Sequence, residues 1–499
     1  MAYEVVVVGG GIGGLTTAAL LSARGVNVCL LERQSQPGGC VSPFEAFGYN
    51  FESGMGLYAL WNKGEIHDRV FAELPVNPPK IQLLDPAYIV RLPDHSDVVV
   101  SSESERFLDS LRMNFPECAE AAIAFYRDAE LVGAALLRAV SRVPDLLTAS
   151  RFRQLGALWP NVGTAARLRD LLKDTTDHHL EGTSRRFRCF VDAQLQLFGQ
   201  CSAAECAYPY ACVALTLRQQ GFFAIEGGAG ELAQLLAQSI AQTGGAVRLN
   251  TPALRLAYDS SGRPIGVTLL SGETVTAARA IVSNLTVWDT YGKLVGLDHT
   301  PLEIRKRLKT LSGWGAYLIY TGVEERVAST LPADHLVAVT AFPESAKYDP
   351  TIAQINFAMA PQWNPRAPAG HRAATVQVST HADQWFAFHE DESEQEMKDQ
   401  SELETVWQRL HSVLPELGDA IEVIDTATPQ SYYASTRRKL GMVGSVGQSP
   451  DVFGPNSLSH RTNFRNLFMV GDTIFPGAGL AAVSQGAVVV ADEICSSRS

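Results

Sequence analysis

Apolar and polar positions change their period several times along this chain, and the first change is the most informative. Val5-Val6-Val7-Val8 is an unbroken apolar run, the pattern of a strand buried on both faces. It leads into Gly9-Gly10-Gly11-Ile12-Gly13-Gly14, an apolar stretch, and then Val28-Cys29-Leu30-Leu31-Glu32-Arg33. The order predicted is strand, G-x-G-x-x-G turn, helix, and a second strand ending in an acid. Gly9 allows the tight turn, Gly11 lets the backbone approach a pyrophosphate, and Gly14 lets the helix pack on the strand. The helix N-terminus at Ile12 and Gly13 turns its positive end to the phosphates. Glu32 stands about twenty residues on, where a carboxylate accepts from a ribose hydroxyl. This unit predicts dinucleotide binding.

Further along, Cys118–Val140 is apolar-rich but interrupted by charges, so it predicts an amphipathic helix. Ile225-Glu226-Gly227-Gly228 precedes a second amphipathic helix, Ala233–Gln242, and a strand, Ala246–Leu249. Ala280-Ile281-Val282-Ser283-Asn284 reads as a short buried strand. Alternation in Tyr317-Leu318-Ile319-Tyr320 and in Ala374–Val378 predicts antiparallel strands between about 295 and 425. The block from 85 to 215 is rich in helix formers, with breaks expected at Pro144, Pro160 and Gly163. The fold class expected is α/β: a Rossmann-like domain with a parallel sheet, and a discontinuous α+β substrate domain with an antiparallel sheet and a helical part. Residues 1–80, 220–290 and 430–499 are assigned to the first, and 85–215 and 295–425 to the second.

Composition agrees with two interleaved domains in a chain of 499 residues, 46% hydrophobic and 19% charged. A formal net charge of −12 argues against a nucleic-acid partner, because no basic stripe exists to displace counterions. The first strand follows Met1 almost at once, so no leader is expected, and no apolar run is long enough to span a bilayer. The eight cysteines include no C-x-x-C pair, and Cys201, Cys206 and Cys212 lack zinc-site spacing. No metal is expected, and reduced thiols in a cytoplasmic protein are the reading.

Two further segments decide which dinucleotide. Gln34-Ser35-Gln36-Pro37-Gly38-Gly39 adds a second glycine pair, fit to admit the phosphates of an extended cofactor beside Glu32 and Arg33. Leu467-Phe468-Met469-Val470-Gly471-Asp472 is an apolar strand ending in Gly-Asp, followed by Pro476-Gly477-Ala478-Gly479-Leu480. A helix starting there would stabilise negative charge on a reduced isoalloxazine, and Asp472 would accept from ribityl hydroxyls. Both ends resemble the phytoene desaturase family, within the amine oxidase-like group of FAD enzymes. The resemblance implies FAD as cofactor. It implies that Phe47-Gly48-Tyr49-Asn50-Phe51-Glu52-Ser53-Gly54 brings the chain back past the flavin, with Gly54 and Met55 among the cofactor contacts, and that Ala253 meets the adenine through its backbone. Gly479 and Leu480 would open the flavin-facing helix.

Phe190–Leu195, Tyr208-Pro209-Tyr210-Ala211 and Gly441–Gln448 are similar to the carotenoid 3,4-desaturase-like and carotenoid isomerase-like branch. Two positions depart from the family: Glu52 stands where relatives commonly have Asp, and Ala224-Ile225-Glu226 replaces a Tyr-Pro. The resemblance implies desaturation or dehydrogenation of a carotenoid or related isoprenoid by hydride transfer to flavin N5, with quinone or oxygen as acceptor. The alternative on the same cofactor is a carotenoid cis–trans isomerase using reduced flavin. A lipid-binding chaperone resembling the Rab GDP-dissociation inhibitors, or an amine or porphyrinogen oxidase, ranks lower. Such substrates live in membranes, so peripheral membrane contact through the helical part is expected.

Candidate catalytic groups are few. No Ser/His/Asp set, histidine cluster or paired carboxylates stand out. His67 and Glu226 are weak substrate-side candidates, and His178-His179 reads as a solvated loop pair. Of Trp61, Trp288, Trp314, Tyr317, Tyr432, Tyr433 and Phe475, the last is the strongest single candidate, since it follows the Gly-Asp turn.

Overall fold

A computed structural model describes residues 2–143, 170–342, 347–387 and 392–497. Two seven-stranded sheets organise them. In the first, Ala246–Arg248, Val28–Leu31 (β2), Ala2–Val8 (β1) and Thr274–Ser283 run parallel. On the edge away from β1, Thr274–Ser283 serves two neighbours at once. Its first half pairs antiparallel with Pro264–Leu269, and its last three residues pair parallel with Leu467–Met469. Val5–Val8 sit in the middle of this sheet and are fully buried, which is why they need no polar alternation. The Ile12–Ala23 helix (α1) covers one face, packed by the Ala229–Gln242 and Leu480–Ser496 helices.

The second sheet has the order Ile421–Ala427, Gly315–Glu324, His371–Thr380, Gln354–Met359, His335–Val339, Tyr88–Arg91 and Asp97–Val100. All its pairings are antiparallel except His335–Val339 with Tyr88–Arg91. The two strands at residues 88–100 come from the block expected to be helical. They are only four residues each, and the first buries Arg91 among apolar neighbours by pairing it with Asp97 at 2.7 Å and Glu416 at 2.7 Å. One face of the sheet packs on the Glu392–Val413 helix through Ile319, Leu336, Phe357 and Val376. Tyr317 lies on that side too, stacked on Trp385 and donating to Asp399 Oδ1 at 2.6 Å, so it is turned away from the flavin-side segments expected for it. The opposite face meets the helices Ala119–Arg142 and Arg185–Gly199.

The Ala229–Gln242 helix starts four residues before the Ala233 expected. Its local sequence offers Gly227-Gly228 and no capping side chain, but Glu52 Oε1 accepts from Ala229 N at 2.8 Å, a cap supplied from a distant part of the chain. Pro144, Pro160 and Gly163, expected as helix breaks, lie outside the described residues. Among the described residues no helix is long and apolar enough to cross a membrane.

Candidate functional site

The site forms where the carboxyl ends of β1, β2, Thr274–Ser283 and Leu467–Met469 converge, the position at which open parallel sheets bind ligands. Gly9 turns with φ +99°, its N–H donating to Leu31 O at 2.8 Å. Gly11 is the N-cap of α1, and no side chain caps that helix and no acid lies in its first turn. Its first N–H groups therefore face the site without an intramolecular anion. A methyl built on Gly14 would fall 2.2 Å from Gly9 O, so only glycine lets α1 lie this close to β1. Gly38 N donates to Gly10 O at 2.7 Å, and a methyl on Gly39 would sit 3.3 Å from Gly11 Cα. The two glycine turns thus face each other across a gap lined by backbone.

Asn284 completes this cradle, and the sequence reading did not name it as a site residue. It follows Ser283, whose strand pairs parallel with Val8, so it emerges beside Gly9. Methyls on Gly11 and Gly13 would lie 2.6 Å and 2.7 Å from its amide atoms, and one on Gly471 would lie 3.2 Å away. One side chain therefore touches both the N-terminal and the C-terminal glycine turns. The available signal was a polar residue ending an otherwise buried apolar strand.

Glu32 is buried, with Oε2 accepting from Gly10 N at 2.6 Å and Oε1 from Gln34 N at 2.7 Å. These bonds aim the carboxylate and leave lone pairs for further donors. Thr251 N donates to Glu32 O and Asn250 N to Gln34 O, which brings the approach to Ala253 alongside. Arg33 points elsewhere, donating to Ala434 O and Ser435 O on an exposed edge. Gly471 has φ +120° and Gly479 has φ +96°. Gly479 caps the Leu480–Ser496 helix, which again has no side-chain cap and no acid in its first turn; Leu480 is buried. Asp472 is paired with Arg438, Oδ1 to Nη1 at 3.2 Å and Oδ2 to Nη2 at 3.0 Å. Arg438 is held in turn by Met442 O at 2.8 Å and Gly444 O at 2.7 Å.

Gly54 and Met55 line a small enclosed cavity, about 10 Å³, with Glu52, His335, Asn364 and Arg366. Glu52 is held by Arg366 Nη2 at 3.0 Å and by the Tyr58 hydroxyl as well as by the Ala229 helix. Thr375 Oγ1 donates to Glu52 O at 2.8 Å, so this one residue joins the flavin-side segment to the second sheet.

The weak substrate-side candidates are not brought together. Glu226 is exposed and pairs with Lys80 at 3.1 Å. Phe475 is buried beside Phe453 and Ala207, against the helical part. His67 is buried, its ring stacked on Trp61 with centroids 4.1 Å apart. His178 and His179 are not merely solvated: both bind Asp174, and His179 stacks on Tyr208.

Burial pushes the His67 pKa down to about 3 and that of His335 down to about 4. Both folded values lie below the unfolded value near 6.5, so the unfolded chain takes up these protons first. Stability is therefore complete above about pH 6.5 and falls with acidification, by about 1.4 kcal/mol per pH unit for each group. Replacing His67 with Phe keeps the stack on Trp61. Between pH 6.5 and 4.5 the variant is expected to lose about 2.3 kcal/mol less stability than the parent. Denaturant melts at the two pH values measure this; an identical loss in both proteins would contradict it.

The residues present fit FAD. Two opposed glycine turns lie over an uncapped helix N-terminus, a buried acid ends the second strand, and a Gly-Asp turn precedes another uncapped helix. Comparison with known proteins agrees. Residues 7–74 match the family model for an NAD(P)-binding Rossmann-like domain. The chain is 26% identical to the chloroplastic prolycopene isomerase of Daucus carota, over 99% of this chain and 80% of that protein. It is 24% identical to the all-trans-retinol 13,14-reductase of Danio rerio, over 98% of this chain and 86% of that one. Its fold is similar to that of a putrescine oxidase with redesigned cofactor binding, at a TM-score of 0.66, 13% identity and 99% coverage of both chains. FAD is the cofactor these residues fit, and along nearly its whole length the chain is similar to prolycopene isomerases and all-trans-retinol 13,14-reductases.

Proposed function

We propose that this protein is an FAD-dependent enzyme acting on the conjugated double bonds of a carotenoid or related polyene, with cis–trans isomerisation under reduced flavin as its reaction. The observation that carries the choice of reaction is the state of the site's carboxylates. Asp472 is committed to Arg438, Glu52 to Arg366 and a helix N-terminus, Glu32 to two backbone N–H groups, and Glu226 to Lys80. Each is tied to a donor, and none is presented alone as a base. Isomerisation needs no net removal of a proton, whereas desaturation does. The similarity to prolycopene isomerases over nearly the whole chain supports the same choice. Desaturation, with quinone or oxygen as acceptor, is the second reading, supported by the sequence resemblance.

Bound FAD supplies reversible two-electron chemistry at its N5. The chain's part is to bind and orient. The glycine turns and the α1 N-terminus hold the phosphates, Glu32 the ribose, and Asp472 the ribityl chain. Glu52 ties its segment to Arg366, Tyr58 and the Ala229 helix, and beside that segment a polyene would be held by apolar burial, worth about 25 cal/mol per Å². A titration of the oxidised holoenzyme separates this from the amine-oxidase reading. Dispersed carotenoid is expected to perturb the flavin absorbance saturably, and a primary alkyl amine to leave it unchanged. The reverse pattern would contradict the proposal. Supplying the carotenoid in liposomes extends the test to peripheral membrane contact, which exposed Met113 and Leu131 on the helical part favour. Response to dispersed but never to liposomal carotenoid would count against that contact.

A further inference from the structure

We propose that Arg438 is the cation that faces the cofactor's diphosphate. Neighbouring contacts close a ring around that position. Gly11 meets Gly39, whose built methyl lies 3.3 Å from Gly11 Cα. Cys40 follows in the chain, and its thiol lies against the Arg438 guanidinium. Arg438 grips Asp472 at 3.0 Å and 3.2 Å. Gly471, next to Asp472, returns to α1, its N lying 3.2 Å from a methyl built on Gly13. Asn284 then joins Gly13 to Gly11.

Charge balance favours a cation in this ring. Glu32 and Asp472 each bring a negative charge, and a diphosphate brings two more. Against them stand backbone N–H groups and helix N-termini, each end worth about half a positive charge. Arg33, the cation nearest in sequence, is turned to the carbonyls of Ala434 and Ser435. Arg438 is different. Its side chain is mostly buried, and the carbonyls of Met442 and Gly444 fix the guanidinium while contributing no countercharge. Burial works against its charge, yet Asp472, Cys40 and Asp289 together hold its pKa above the ordinary arginine value. With its donors committed to Met442, Gly444, Asp472 and Cys40, the guanidinium stands as a fixed positive charge beside the glycine turns.

The inference rests on FAD as cofactor and not on the polyene reaction. The test uses the full-length protein, freed of flavin by bromide dialysis, in parent, Arg438→Gln and Arg438→Lys forms. Affinity for FAD is read from quenching of flavin fluorescence, and affinity for ADP, which carries the diphosphate without the flavin, by competition. In Arg438→Gln both affinities are expected to fall roughly tenfold to a hundredfold, the loss of one charge-assisted contact. The salt dependence of both should flatten. Arg438→Lys keeps the charge but not the two carbonyl bonds, so it should recover most of the ADP affinity. Three results would overturn the assignment. One is unchanged affinity for both ligands. Another is a loss for FAD with ADP unaffected, which places Arg438 at the ribityl end through Asp472. The third is an equal loss of ADP binding in the Lys and Gln forms, the mark of a purely structural role. If Arg438→Gln does not fold, the ADP affinity of Arg438→Lys decides alone: near parental supports the assignment, and a fall of tenfold or more overturns it. Polyene turnover enters none of these readings, so their failure leaves the proposed reaction standing.

Discussion

Gly14→Ala is expected to yield a chain that neither holds flavin nor folds to normal stability. The position is helical, so alanine would suit its backbone angles; the obstacle is space. The new methyl would lie 2.2 Å from Gly9 O and 3.0 Å from Asn284 Cβ. Gly9 cannot retreat, because its N–H is bonded to Leu31 O at the end of the parallel sheet. The helix must move instead, and with it the N–H groups proposed to meet the phosphates. Overpacking against backbone costs about 3 kcal/mol or more, a large part of a total near 5–15 kcal/mol. Gly292→Ala is the control, since a methyl there meets nothing within 4 Å. Melting temperature and flavin content measure both variants. A yellow Gly14→Ala protein melting with the parent would remove the close helix–strand contact from the account.

Asp472→Ala is expected to lose flavin for two separable reasons. The acceptor proposed for the ribityl chain is lost, and Arg438 is left largely buried without its carboxylate. Removing one partner of a buried pair costs about 3 kcal/mol or more, somewhat less here because Asp472 keeps some solvent contact. Asp472→Asn preserves shape and one acceptor, and should retain more flavin than the alanine form. Gel filtration followed by absorbance checks the order parent, Asn, Ala. Full retention of the yellow cofactor by Asp472→Ala would take Asp472 out of the binding site.

What the sequence disclosed was local. Val5–Val8, the glycine turn, α1 and Glu32 lie within 28 residues, and each signal acts on its neighbours through period, steric freedom or spacing. The C-terminal Gly471-Asp472 was legible for the same reason. Asn284 and Arg438 were not, because their roles come from strand pairing and loop return across hundreds of residues. The alternation around Tyr317 identified a strand but carried no information about which face would meet the flavin side; Tyr320 took that side, in van der Waals company with Phe44 and Phe51. The strands at residues 88–100 escaped because four-residue segments are too short to establish a period, and Arg91 within one of them disguised its burial. Glu52 was noticed as a departure from relatives, but its capping of a helix that begins at Ala229 is visible only in three dimensions.

The central claim is that reduced flavin isomerises a polyene without net oxidation. The direct measurement is an anaerobic incubation of holoenzyme with a poly-cis carotenoid, once with the flavin oxidised and once after dithionite reduction, with product geometry and mass read by chromatography and mass spectrometry. The account predicts a product of unchanged mass and altered geometry, formed only after reduction. A product two hydrogens lighter, formed by the oxidised enzyme as its flavin bleaches, would contradict it and establish a desaturase.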